Sequence, residues 1–180
     1  GWFLLLHELG HALGLKHPHD SGGNGRPTFT QLDLNELDID WATIMSYNDD
    51  YSWNLTAYDP STPMILDVIA FQYLYGKNEQ TNSGDSRHDL TLFENYYVTL
   101  WDASGDDFVD LSRAREGWKV FLPEVQLSDL VDTKAGYAAP AASLNLNAPL
   151  TLVWLAGDFE NVDGSNYADV IHGNSLSNIL

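Results

Sequence analysis

The chain has 180 residues, and 26 Asp and Glu face only 8 Lys and Arg, a formal net charge of −18. Such a polyanion is repelled by nucleic-acid phosphates and by anionic lipid surfaces, which removes nucleic acid and membrane from the expected partners. Apolar residues make up 44%, a globular composition, and the absence of Cys excludes disulfides, thiolate metal sites and cysteine nucleophiles.

Residues 2–13 predict a helix, because Leu6, Leu9 and Leu13 recur at helical spacing and Gly14 can accept the positive φ that ends it. The chain starts at Gly1 rather than Met and enters this segment directly, so a fragment cut inside or just before a helix is expected. No apolar run approaches the roughly 20 residues that span a bilayer, and "WFLLL" lacks the basic start of a signal peptide. Residues 17–27, rich in Gly and Pro, read as loop. Residues 31–40 alternate apolar and acidic and fit either a strand or irregular chain. A second helix is predicted over 61–76, with Thr62 as cap, Pro63 in the first turn, Asp67 near the positive end of the dipole and Gly76 as stop. It is apolar over most of its circumference, so deep burial is expected.

Beyond Gly76 the texture changes to short β-type runs at 96–101, 107–111, 118–122, 150–155 and 169–173, separated by turn residues. The Ala-, Pro- and Asn-rich stretch 136–149 reads as a surface connection, and a domain boundary is expected near 76–80.

The chemistry is concentrated in "HELGHALGLKH", from His7 to His17. A four-residue step is close to one helical turn, so His7 and His11 project from one face and can grip one metal ion. A chain reversal at Gly14 lets His17 approach as the third ligand. Three neutral nitrogens leave an open position for water, as a catalytic zinc requires. Zinc lowers the pKa of that water toward about 7, and Glu8 can take its proton as general base. His19, His88 and His172 lie outside the spacing and read as loop, structural or exposed residues. The surplus of carboxylates suits either solubility or binding of divalent cations, chiefly Ca²⁺.

HExxHxxGxxH is the metzincin signature, and the chain resembles that superfamily. "TIMSY" resembles the Met-turn, with Met45 as an apolar floor beneath the zinc site. Tyr47 matches a tyrosine that can ligate zinc and stabilise an oxyanion. Four stretches resemble the serralysin family of secreted bacterial zinc endopeptidases, in the same order: "HALGLKHP", "PMILDVIAFQYLYGKN", "TLWDASGDD" and "ENVDGSNYADVIHGNSLSNIL". The resemblance implies an α+β fold. Residues 1–76 would be the C-terminal part of a zincin-like (metzincin) catalytic domain. Residues 77–180 would be a mostly-β, RTX-type parallel β-roll or β-sandwich domain. It also implies a calcium site between two loops, with backbone carbonyls of Asn82, Gly84, Ser86 and Ser104 and side chains of Asp102 and Asp107. The RTX pattern G-G-x-G-x-D is degraded: Ser165 follows Gly164, Tyr167 replaces a glycine, Asp169 is kept, and Asn178 stands where Asp would.

The expected protein is a secreted, monomeric, zinc-dependent endopeptidase acting on polypeptides. The rival from another class is a non-catalytic secreted Ca²⁺-binding module with a relict or structural zinc. In the resembled family a half-domain with a substrate-pairing edge strand precedes the zinc helix. The chain is therefore expected to expose apolar surface on helix 2–13 and to lack part of the cleft, so the fragment can be inactive.

Overall fold

A computed structural model describes residues 1–23, 25–48, 59–142 and 149–180. Helix α1 is Trp2–Ala12. Gly14, at φ 99°, turns the chain back, and the N–H groups of Gly14 and Leu15 donate to His11 O (3.0 Å) and Gly10 O (2.9 Å). Leu6, His7 and Gly10 face inward, whereas Trp2, Leu4, Leu5, Leu9 and Leu13 are exposed, as expected for this helix. Residues 31–40 contain no strand. They hold two 3₁₀ turns, Thr30–Leu32 and Asn35–Leu37, joined through Asp33 in the left-handed region.

Helix α2 is Ile65–Tyr75 and stops at Gly76, φ 85°. Its cap differs from the sequence expectation. The Thr62 hydroxyl donates to Pro63 O and accepts from Thr99 N–H, so it is spent outside the helix. The Asp67 carboxylate takes the N–H of Met64 instead, at 2.8 Å. Deep burial holds only for the first turns. Met64, Ile65, Asp67 and Ile69 are buried, but Tyr73, Leu74 and Tyr75 are exposed. The reason is that α2 meets the strands at its N-terminal end, where Ile65 packs on Ala135 and Ala156.

Among the described residues eight strands follow: β1 Arg87–Asp89, β2 Tyr97–Asp102, β3 Phe108–Asp110, β4 Trp118–Gln126, β5 Lys134–Pro140, β6 Leu152–Gly157, β7 Asn161–Asp163 and β8 Val170–His172. One sheet has the order β2-β6-β5-β4-β8 and the other β1-β3-β7. The three-stranded sheet is parallel throughout. The larger one is mixed, with β2·β6 and β4·β8 parallel and the central pairs antiparallel. Alternate residues of β4 (Trp118, Val120, Leu122) meet Val98 and Val153 of their own sheet and Val109 and Val162 of the other in one dry cluster.

The stretch 136–149 is not a surface connection as far as residue 140. Residues 134–140 form β5, which lies at the centre of the larger sheet, and most of its residues are buried. Residues 143–148 of that stretch lie outside the described residues. Gly136 has a steric reason, because a Cβ there would stand 2.1 Å from Phe121 O on β4. The chain is thus a mixed α and β fold with two helices and two sheets among the described residues.

Candidate metal centre

Helix geometry brings His7 and His11 to one face, and the reversal at Gly14 returns His17 to them. Nε2 of His17 lies 3.1 Å from Nε2 of His7 and 3.0 Å from Nε2 of His11. The opposite nitrogens are each engaged. Nδ1 of His7 is 2.7 Å from Ile44 O, Nδ1 of His11 is 3.0 Å from Leu15 O, and Nδ1 of His17 is 2.7 Å from Asp20 Oδ2. A carbonyl or carboxylate can only accept, so each Nδ1 carries the proton and donates it. The Nε2 atoms then point lone pairs at one another, which is repulsive unless a cation stands between them. Ligand histidines are oriented in this way in metal sites generally. The donor set of three neutral imidazoles suits zinc. His17, beside Asp20, also holds that carboxyl below the usual carboxylate range.

The floor of the site is built from the 43–47 turn. Met45 is 2% exposed, and it sits so close beneath α1 that a Cβ on Gly10 would stand 2.5 Å from its Sδ. Asp67 anchors this turn from α2. Its carboxylate accepts from Thr43 Oγ1 (2.6 Å) and from the N–H of Ile44 (2.8 Å). The same Ile44 offers its carbonyl to His7. Burial outweighs these bonds and pushes the Asp67 carboxyl up to about 6. Tyr47 is exposed, with its ring centroid 4.3 Å from that of His17 and 5.4 Å from that of His7. Ser46 Oγ on Asp38 Oδ1 and Asp40 N on Asn48 O tie down its two neighbours. Glu8 is exposed on α1 beside His7. His19 is an exposed turn residue whose ring stacks on His17 with centroids 5.1 Å apart.

The second expected site lies elsewhere in the fold. Loops 82–86 and 102–107 do meet: Ser86 N–H donates to Asp107 Oδ1, and a Cβ on Gly105 would stand 2.8 Å from Gly84 O. Asp102 and Asp107 are fully buried, and burial pushes both carboxyls up to about 6. Nε2 of His88, read from sequence as an isolated histidine, lies 3.0 Å from Asp102 Oδ2. Beside them Asn82 Nδ2 donates to Trp101 O, and Ser104 N–H donates to Asp102 Oδ1. In the last segment, Asp169 accepts from Trp118 N–H and Ser165 N–H, and Asn178 bonds Asn174 N–H and Glu160 O. These two side chains lock turns.

The chain is similar to known proteins. The chain is 31% identical over its whole length to "Serralysin" of Proteus mirabilis, covering 37% of that protein. It is 30% identical over 98% of its length to "Metallopeptidase AprA" of Pseudomonas marginalis, covering 38% of it. Against "Serralysin C" of Dickeya chrysanthemi it is 33% identical over 70% of its length. The chain belongs to the serralysin-type metalloprotease family. It spans a little over a third of the length of its whole-chain serralysin-type relatives. No family model matches it. The serralysin resemblance read from sequence is thereby borne out at the level of the family. Sequence reasoning had passed over Asp20, Ile44 O, Leu15 O, Asp67 and His88. Only Asp20 left a readable signal, as a carboxylate three residues after His17.

Proposed function

We propose that this chain carries the zinc-binding and proton-transfer groups of a secreted endopeptidase that cleaves polypeptides. The support is one observation: three imidazoles turn their Nε2 atoms to a common point while their Nδ1 protons are held elsewhere. An incidental cluster of histidines has no need of three outer acceptors, and a structural zinc site has no need of Glu8 and Tyr47 beside it. Zinc bound there would supply Lewis acidity, lowering the pKa of water toward about 7 and polarising a peptide carbonyl. Glu8, one residue from His7, takes the proton of the attacking water on its carboxylate. It then delivers that proton to the departing amine nitrogen. The Tyr47 hydroxyl donates a hydrogen bond to the oxygen that gains charge, and its exposed ring can swing to do so. The buried Met45 excludes water from below.

The polypeptide substrate, secretion and a monomeric state follow the family resemblance, and no helix among the described residues is long and apolar enough to cross a membrane. The resemblance also offers calcium as an ion for the 82–86 and 102–107 loops, and RTX-type turns for the last segment.

The test is a peptidase assay on the natural protein that contains this chain, using a denatured polypeptide, with and without a zinc chelator. Glu8→Gln should keep bound zinc and reduce kcat/KM by at least 100-fold. Cleavage that survives chelation would end the zinc mechanism. A protein that binds metal but never cleaves would favour the binding-module reading.

A further inference from the structure

The bonds behind His7 do not stop at Ile44. Nδ1–H of His7 donates to Ile44 O at 2.7 Å. That carbonyl belongs to the same peptide group as the N–H of Met45, which donates to Thr43 Oγ1 at 3.1 Å. The Thr43 hydroxyl then donates to Asp67 Oδ1 at 2.6 Å. Every donor in this series points toward Asp67. A hydroxyl can donate one proton and accept another, so Thr43 carries both bonds at once. All three bonds are buried, where hydrogen bonds strengthen and polarise one another.

Asp67 is 2% exposed, and among the described residues no Lys or Arg pairs with it. A buried carboxylate without a cation is costly. Its carboxyl lies at about 6, so it is charged at pH 8. Oδ2 accepts from Ile44 N–H and Met64 N–H, which fixes the turn and the start of α2. Oδ1 is left for the series that leads to the ring of His7. The three rings differ in what stands behind them. His17 meets the carboxylate of Asp20 directly, and His11 meets only the carbonyl of Leu15. His7 meets a carboxylate at one remove, through a peptide group and a hydroxyl. A carboxylate behind a ligand imidazole raises the basicity of the ring. Asp20 and Asp67 together would match the two charges of a divalent ion.

We propose that Thr43 and Asp67 form a buried hydrogen-bond relay that ends on His7 and strengthens its hold on zinc. They are positioning residues, since neither touches the ion. The relay pulls the Nδ1 proton outward, fixes the tautomer and adds electron density at Nε2. It makes His7 a stronger ligand than His11, although both rings donate to a backbone carbonyl. This inference rests on zinc binding by the histidine trio.

The experiment uses the natural protein that contains this chain, at pH 8, as wild type, Thr43→Val, Thr43→Ser, Asp67→Asn and the double variant Thr43→Val with Asp67→Asn. Zinc affinity is measured by competition with a chromophoric chelator, and the ring protons by NMR of ¹⁵N-histidine-labelled, zinc-loaded protein. Thr43→Val and Asp67→Asn should each weaken zinc binding about 10-fold, as loss of an outer partner does. The double variant should lose no more than either single one, because both cut the same series. Thr43→Ser keeps the hydroxyl and should bind as wild type does. The Nδ1 proton of His7 should move upfield in the Val and Asn variants while that of His11 stays in place. Circular dichroism of metal-free protein checks folding, and the Val and Ser pair decides the matter if the Asn variant does not fold. Wild-type affinity in the Val variant would overturn the relay. So would additive losses in the double variant, or a Ser variant as weak as the Val one, which would assign the effect to packing. A wild type that binds no zinc would instead remove the zinc reading of the trio, and the relay with it.

Discussion

Asp20 is the smallest part of the metal centre with a large expected effect. Two of the three ligand rings are aimed by backbone carbonyls, which no substitution can delete, but His17 is aimed by a side chain. Asp20→Ala should therefore weaken zinc binding about 10- to 100-fold without unfolding the chain. Competition against a chromophoric chelator measures this, and an unchanged affinity would mean that Pro18 and Lys16 alone hold the loop. Asp67 acts through a different property. Its carboxyl lies at about 6 in the folded chain against about 3.9 when unfolded. The folded state therefore binds its proton more readily. Its contribution to stability is complete below about pH 4 and is lost as pH rises through about 6, on the order of 3 kcal/mol. Among charged groups nearby, His7 opposes the shift. Urea unfolding of metal-free chain at pH 5 and pH 8 should show about half of this fall, since the rest is lost between pH 4 and 5, and Asp67→Asn should shrink it. The ligand spacing was legible because helix geometry is local. Ile44 O was not, since a backbone acceptor leaves no trace in residue type.

Among the elements, β5 shows what pattern reading misses. "KAGYAAP" has no β-branched residue and a single aromatic, Tyr137, to mark a strand, yet it occupies the centre of the larger sheet. Its small residues answer to tertiary packing. Ala135 lies under Ile65 of α2, and Gly136 lets the Phe121 carbonyl of β4 come close. Gly136→Ala would force backbone apart in the middle of a sheet, so a loss of about 1–3 kcal/mol is expected. That corresponds to a fall in Tm of about 3–10 °C, readable by calorimetry, and an unchanged Tm would show that β4 can move. The two helices were legible because periodicity and a terminating glycine agree, at Gly14 and Gly76. The cap of α2 was misread because Thr62 fits the local rule, while the strand end at Thr99 claims its hydroxyl. The parallel pairing of β1, β3 and β7 joins residues far apart in sequence, beyond the reach of any window.

At the scale of the whole molecule, the order of motifs was readable and the arrangement of layers was not. The excess of acidic residues was read as solubility or cation binding, and the folded chain buries Asp67, Asp102 and Asp107, each with a raised pKa. Apolar packing also runs across residue 76. Leu6 of α1, Ile44, Met45 and Met64 share one cluster with Tyr97, Ala139 and Leu152 of the strands. The histidines are therefore footed on the same dry layer that seals the strands. Heat or acid that loosens the strands would take the grip on the ion with it, so a spectroscopic signal from cobalt would serve as a gauge of order in strands remote from it.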